Sequence, residues 1–138
     1  MTAFWEEAFK DRQEMWGLQP ARSAVLTKDF FVANQVKTVL IPGVGYGRNA
    51  QIFRDNGMSV TGIEISQTAI DLAQKHFGND LIIYQGTVTE MPYDNNLYDG
   101  IFCYGLIYLL SQDEREKLIK DCYNQLVENG FMLFTVIT

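Results

Sequence analysis

A chain of 138 residues is long enough for one compact domain and too short for two. Hydrophobic residues make up 47% and charged residues 20%, which is the balance of a folded protein and not of a disordered polymer. Eleven basic against 17 acidic residues give a net charge of −6, which repels nucleic-acid phosphates and anionic membranes and favours small-molecule partners.

The first segment, Thr2 to Trp16, reads as an amphipathic helix with Phe4, Trp5, Ala8, Phe9, Met15 and Trp16 on one side, and Gly17-Leu18-Gln19-Pro20 stops it. A second helix is expected from Arg22 to Asn34. Thr38-Val39-Leu40-Ile41 then forms a short β-branched run with no polar alternation, the pattern of a strand buried on both faces. Pro42-Gly43 ends it and a helix from Arg48 to Asp55 follows, closed by Asn56-Gly57. The cycle repeats with a strand at Val60 to Ile65, a helix capped by Ser66 and running to Phe77, and a third strand at Asp80 to Tyr84. A fourth strand is expected at Tyr98 to Tyr104. Ser111 and Glu114 form a capping box opening a helix to Val127, and after Asn129-Gly130 a fifth strand covers Phe131 to Ile137. Strands alternating with helices at this spacing predict an α/β fold, a parallel sheet with helices on both faces.

Cys103 and Cys122 both lie in apolar stretches, so they are expected as buried free thiols in a reducing compartment. No stretch approaches the roughly 20 apolar residues of a membrane span, and the expected location is the cytoplasm.

Gly43-Val44-Gly45-Tyr46-Gly47 joins the end of the first strand to a helix. Glycine there permits positive φ and lets a ligand lie against bare backbone near free N–H groups. Such a triplet also serves as a plain tight turn. Glu64 separates these readings: it ends the second strand 21 residues after Gly43, where a Rossmann-like sheet accepts hydrogen bonds from a ribose diol. A pyrophosphate-binding G-x-G-x-x-G would need glycine where Arg48 stands, so the spacing suits a nucleoside carrying an amino-acid tail.

From Val39 onward the chain resembles the class I S-adenosylmethionine-dependent methyltransferases. The resemblance rests on Gly43-x-Gly45-x-Gly47, Ile63-Glu64-Ile65-Ser66 with Ala69-Ile70-Asp71, Gly86-Thr87-Val88-Thr89-Glu90-Met91-Pro92-Tyr93, Tyr98-Asp99-Gly100-Ile101-Phe102, and Leu126 to Phe131. It implies a Rossmann-like three-layer sandwich with a mostly parallel five-stranded sheet, lacking the family's usual last two strands. Residues 1–34 would be a helical lid and 35–138 a truncated core of one domain. It implies S-adenosylmethionine as cofactor, S-adenosylhomocysteine as product, and a small-molecule methyl acceptor. The cofactor-binding residues it implies are Gly43, Val44, Gly45, Tyr46, Gly47, Glu64, Ile65, Thr87, Val88 and Tyr104, with Tyr46 exposed to the methionine tail. Ile41-Pro42-Gly43 with Trp5 and Trp16-Gly17 looks most like the thiopurine methyltransferase and tellurite-resistance branch. Two positions depart from the family: Ile41 replaces a common acidic residue, and Thr87 stands near a usual Asp.

Methyl transfer from a sulfonium needs alignment and dryness, not a metal or nucleophile. Cys103, Tyr104, Gly105, Leu106 and Tyr108 are candidates around the methyl group, with Tyr108 expected as packing and Tyr104 able to contact a sulfonium through its ring. Arg48 is expected as a surface charge, and His76 as a cap on a helix C-terminus. Trp5, Phe9 and Trp16 fit either a lid or the core. A fifth strand left as an open apolar edge predicts self-association, a homo-oligomer such as a dimer. Alternatives are a catalytically idle remnant of the same fold and, less well matched, a nicotinamide-dependent oxidoreductase.

Overall fold

The computed structural model describes residues 2–136. Its centre is β1 (Thr38–Pro42), flanked by β2 (Ser59–Glu64) and β4 (Tyr98–Cys103), with β3 (Ile82–Gln85) and β5 (Leu126–Phe134) outside them in the order β3-β2-β1-β4-β5. Every pairing is parallel. The helices are α1 (Thr2–Arg12), α2 (Arg22–Ala33), α3 (Ala50–Asp55), α4 (Gln67–Phe77) and α5 (Gln112–Asn124). The expected Rossmann-like architecture is therefore present, with a sheet parallel throughout.

Alternation along β1 divides the core. Val39 and Ile41 pack with Phe31 of α2 and Phe53 of α3, while Leu40 joins Leu118 and Cys122 of α5 on the other face. Cys103 and Cys122 are fully buried free thiols, and burial pushes the Cys122 thiol up to about 12.

The boundaries that depart most from the sequence pattern are the ends of α1 and α5 and the start of β5. Helix α1 ends at Arg12, not Trp16: Gln13 turns to φ 51° and its side-chain amide donates to the carbonyls of Phe9 and Lys10 at 3.3 and 3.1 Å. That bend frees Trp16 to stack on Tyr46, centroids 6.3 Å apart. Helix α5 ends at Asn124, not Val127, and β5 begins at once at Leu126. Asn129-Gly130, whose composition marks a helix end, is instead a bulge inside the strand. Tyr98 pairs with Leu126 and Gly100 with Phe131, and Asn129 takes φ 66°. A Cβ on Gly130 would stand 2.7 Å from the Leu126 side chain and 2.9 Å from the Asp99 carbonyl, so the fold of the bulge leaves no room there. The expected end of this strand at Ile137 lies outside the described residues. The Ser111–Glu114 capping box forms as the sequence predicts.

Candidate functional site

A cavity of about 330 Å³ opens at the C-terminal ends of β1, β2 and β4, the edge at which doubly wound sheets bind ligands. Its floor is the loop after β1. Gly43 and Gly45 take φ of 70° and 62°, the left-handed region where a side chain is strained. The amides of Gly43 and Val44 both donate to the Ile63 carbonyl, at 2.8 and 3.0 Å, which pins the loop to β2.

Glu64 ends β2 directly beside this loop, 6% exposed. Gly45 N–H donates to its Oε1 at 2.9 Å and Ser66 N–H to its Oε2 at 3.0 Å. Each oxygen keeps a further lone pair for a ligand hydroxyl. Burial raises the carboxyl above its ordinary value, against the lowering effect of these amides.

Gly43, Val44, Gly45, Tyr46, Glu64, Ile65, Thr87, Val88 and Tyr104 all line the cavity, together with Ile41. Gly47 does not. It takes φ 89°, and a Cβ there would meet Phe77 at 3.1 Å and Leu81 at 3.4 Å, so this glycine serves close packing under α4. Tyr46 is also corrected: it is 1% exposed, and its hydroxyl donates to the Gly17 carbonyl at 2.7 Å and accepts from Trp16 N–H at 2.9 Å. Its ring faces the cavity wall, but its polar end ties down the N-terminal segment. Cys103, fully buried, is absent from the lining, whereas Tyr108, expected as packing, is exposed and part of it.

Other residues of the same stretch hold that segment too. Arg48 donates to the Gln19 carbonyl at 3.1 Å, Asn49 accepts from Ala21 N–H at 2.8 Å, and Gln51 donates to the Leu18 carbonyl at 2.7 Å. Arg48, expected on the surface, also lies over the Tyr104 ring at 5.4 Å and lines the cavity. Residues 16–21 are thus strapped to the glycine loop and the start of α3. Replacing Tyr46 with Phe removes two of these bonds, and we expect a stability loss of about 1–2 kcal/mol by thermal unfolding followed by circular dichroism.

The strap and α1 form the remaining wall through Trp5, Phe9 and Trp16. Phe9 is buried and also packs with Tyr46, so these aromatics line the cavity and extend the core at once. Helix α1 packs against α4, and the N-terminal segment is held there at two points. Glu6 accepts from Ser66 Oγ at 2.6 Å, Thr68 N–H at 3.1 Å and Thr68 Oγ1 at 2.8 Å. Beyond the end of α1, Glu14 meets the His76 ring, so His76 holds this segment instead of capping its own helix. The Ser66 and Thr68 donors hold the Glu6 carboxyl down, to about 2. A lowered carboxyl stabilises the fold above its ordinary value of 4.5, and that stabilisation is lost as pH falls from there toward 2. We expect the thermal midpoint to fall through this window, and Glu6→Gln to flatten that part of the profile.

Thr87 does not offer its hydroxyl to the cavity as a replacement for Asp. The hydroxyl bonds Thr89 Oγ1 at 2.9 Å and accepts from Thr89 N–H at 3.2 Å, capping a single 3₁₀ turn, Val88–Glu90. Tyr93 fixes this loop from behind, donating to the Thr87 carbonyl at 2.7 Å. The remaining base-side surface is Ile65, Val88 and backbone. Among the described residues, no group of three or more His, Cys, Asp or Glu side chains is set to hold a metal ion. None of their helices is long and apolar enough to cross a membrane.

Comparison with known proteins adds a sequence profile described as a methyltransferase domain, which matches residues 40–134. The chain belongs to that family. It is a class I S-adenosylmethionine-dependent methyltransferase domain by sequence and by fold. A methyltransferase of Geobacillus sp. (strain WCH70) is 32% identical over 105 residues, 72% of this chain and 42% of that protein. The CcbJ methyltransferase from Streptomyces caelestis superposes with a TM-score of 0.78 at 24% identity, over 94% of this chain and 56% of its own. The glycopeptide N-methyltransferase MtfA, solved with S-adenosyl-L-methionine, gives 0.70 at 20% identity, over 86% and 50%. At those identities the two structures establish the fold. This domain spans about half the length of the relatives it matches.

Proposed function

We propose that this domain transfers a methyl group from S-adenosylmethionine to a small-molecule acceptor, leaving S-adenosylhomocysteine. The observation that carries the reading is the buried Glu64 carboxylate, hydrogen-bonded to the Gly45 amide and sharing with the bare backbone of Gly43 and Gly45 the lining of one open cavity. The residues present suit this cofactor. Glu64 has lone pairs for the two sugar hydroxyls, Ile65 and Val88 offer apolar surface to the base, and the glycine loop leaves room for the amino-acid tail. Tyr104, with Tyr108 and Leu106, borders the region for the reacting methyl, where an aromatic face attracts a sulfonium.

The bound cofactor supplies an activated methyl on a good leaving group. The protein's share is alignment and exclusion of water, for which Trp5, Phe9 and Trp16 form the cover. In this reading residues 1–34 are the lid and 35–138 the core of one domain. Ile41 removes one negative charge near the tail's ammonium, so the other contacts carry a larger share of the affinity. An open cavity, not one filled by side chains, gives no support to an idle remnant that keeps only the fold.

We also place the domain nearest the thiopurine methyltransferase and tellurite-resistance branch, on Ile41-Pro42-Gly43 and the strapped Trp16-Gly17, and expect a cytoplasmic location. Calorimetric titration tests the cofactor: S-adenosylhomocysteine and S-adenosylmethionine should bind and NAD should not. Binding of NAD alone, or of none of the three, would overturn it.

A further inference from the structure

We propose that Glu6, on the N-terminal helix, is a positioning residue of the nucleoside site and sets the Glu64 carboxylate through Ser66. The inference rests on the reading above, in which Glu64 receives the ribose hydroxyls.

Ser66 is the hub. It is fully buried, and it has one backbone N–H and one hydroxyl proton to give. The N–H goes to Glu64 Oε2 at 3.0 Å, and the hydroxyl proton goes to Glu6 Oε1 at 2.6 Å. The same hydroxyl oxygen accepts from Ala69 N–H at 3.1 Å, as the N-cap of α4. Ser66 is thus held from three directions, one of them supplied by a residue 60 positions away. Thr68 adds two bonds to the same Glu6 carboxylate, so the whole first turn of α4 is organised around it.

Hydrogen bonds to a charged acceptor are stronger and more directional than neutral ones. With Glu6 removed, the Ser66 and Thr68 hydroxyl protons turn to water and the turn that begins at Ser66 loses its outer brace. Its N–H is one of the two donors fixing Glu64, so the carboxylate gains freedom in the plane where it meets the ribose. A helix that only covered the cavity would act on every ligand alike. A helix acting through Ser66 acts on ligands that use Glu64.

That contrast gives the test. Adenosine and 2′,3′-dideoxyadenosine are titrated calorimetrically into the wild type, Glu6→Ala, Glu6→Gln and Glu14→Ala. The last variant removes the other anchor of the N-terminal segment, the contact with His76, and leaves Ser66 untouched. Expected is adenosine binding weakened about 5- to 10-fold in Glu6→Ala, with dideoxyadenosine changed less than about 2-fold, a coupling of ordinary size for residues sharing a hydrogen-bond network. Glu6→Gln, which keeps one acceptor oxygen, should fall between, and Glu14→Ala should move both nucleosides by the same factor. Equal weakening of both ligands in the Glu6 variants, or no change, would overturn the positioning role while leaving the cofactor reading intact. A wild type that binds neither nucleoside would overturn both.

Discussion

Glu64→Gln should weaken S-adenosylhomocysteine binding about 10- to 100-fold. The carboxylate already accepts Gly45 N–H at one oxygen and Ser66 N–H at the other. A glutamine has one oxygen and one NH2, so in either orientation its nitrogen faces a backbone donor and cannot accept. One amide is left unpaired in a buried place, and the ligand loses a charged acceptor for its hydroxyls. Each charged hydrogen bond is worth about 1.5–3 kcal/mol, and about 1.4 kcal/mol is tenfold in affinity. Thermal stability should fall less than affinity, because an ionised carboxylate costs desolvation that the amide does not. Calorimetry with the homocysteine product is the measurement, and an unchanged dissociation constant would remove Glu64 from the ribose contact.

Gly62→Ala should damage the sheet and the site together. A Cβ there would lie 2.6 Å from Val44 Cγ1 and 2.8 Å from Val44 Cβ. Val44 cannot yield as a unit, since its own N–H and that of Gly43 are bonded to the Ile63 carbonyl. The overlap must be relieved by moving the loop or the strand, and overpacking of this kind costs about 1–3 kcal/mol. The expected drop in thermal midpoint is about 5–12 °C for a domain of this size. Cofactor affinity should fall with it, because Val44 is displaced toward the cavity it lines. Val44→Gly in the same chain, which removes every Val44 side-chain atom the new Cβ would meet, should restore part of the stability, and no recovery at all would locate the strain elsewhere.

Local patterns carried the fold a long way. The apolar run at β1, the glycines after it and the acidic end of β2 are all short-range signals of a parallel sheet with a ligand crevice, and they name Gly43, Gly45 and Glu64 directly. What they could not carry was any role decided by a distant partner. Tyr46 stands between two loop glycines and reads as an exposed contact, yet its hydroxyl belongs to Trp16 and Gly17. Gly47 reads as a third ligand-facing glycine, yet its space is taken by Phe77 and Leu81 across the loop. Glu6, Asn49 and Gln51 give no local signal at all, because each acts on a backbone group or hydroxyl that only the folded chain brings near.

The end of α5 was misread for a different reason. Asn129-Gly130 has the composition of a helix stop, and a bulge makes the same demand for positive φ. Only the pairing partner distinguishes them, and that partner, Gly100 with Asp99, lies on another strand.

Both tryptophans of the chain, Trp5 and Trp16, border the one cavity described above, with Tyr46 against Trp16. The protein therefore carries its own optical probe. Excited beyond the tyrosine band, its emission arises from these two rings beside the crevice, so filling the crevice or lifting the first helix changes the colour and yield of that signal with no added dye.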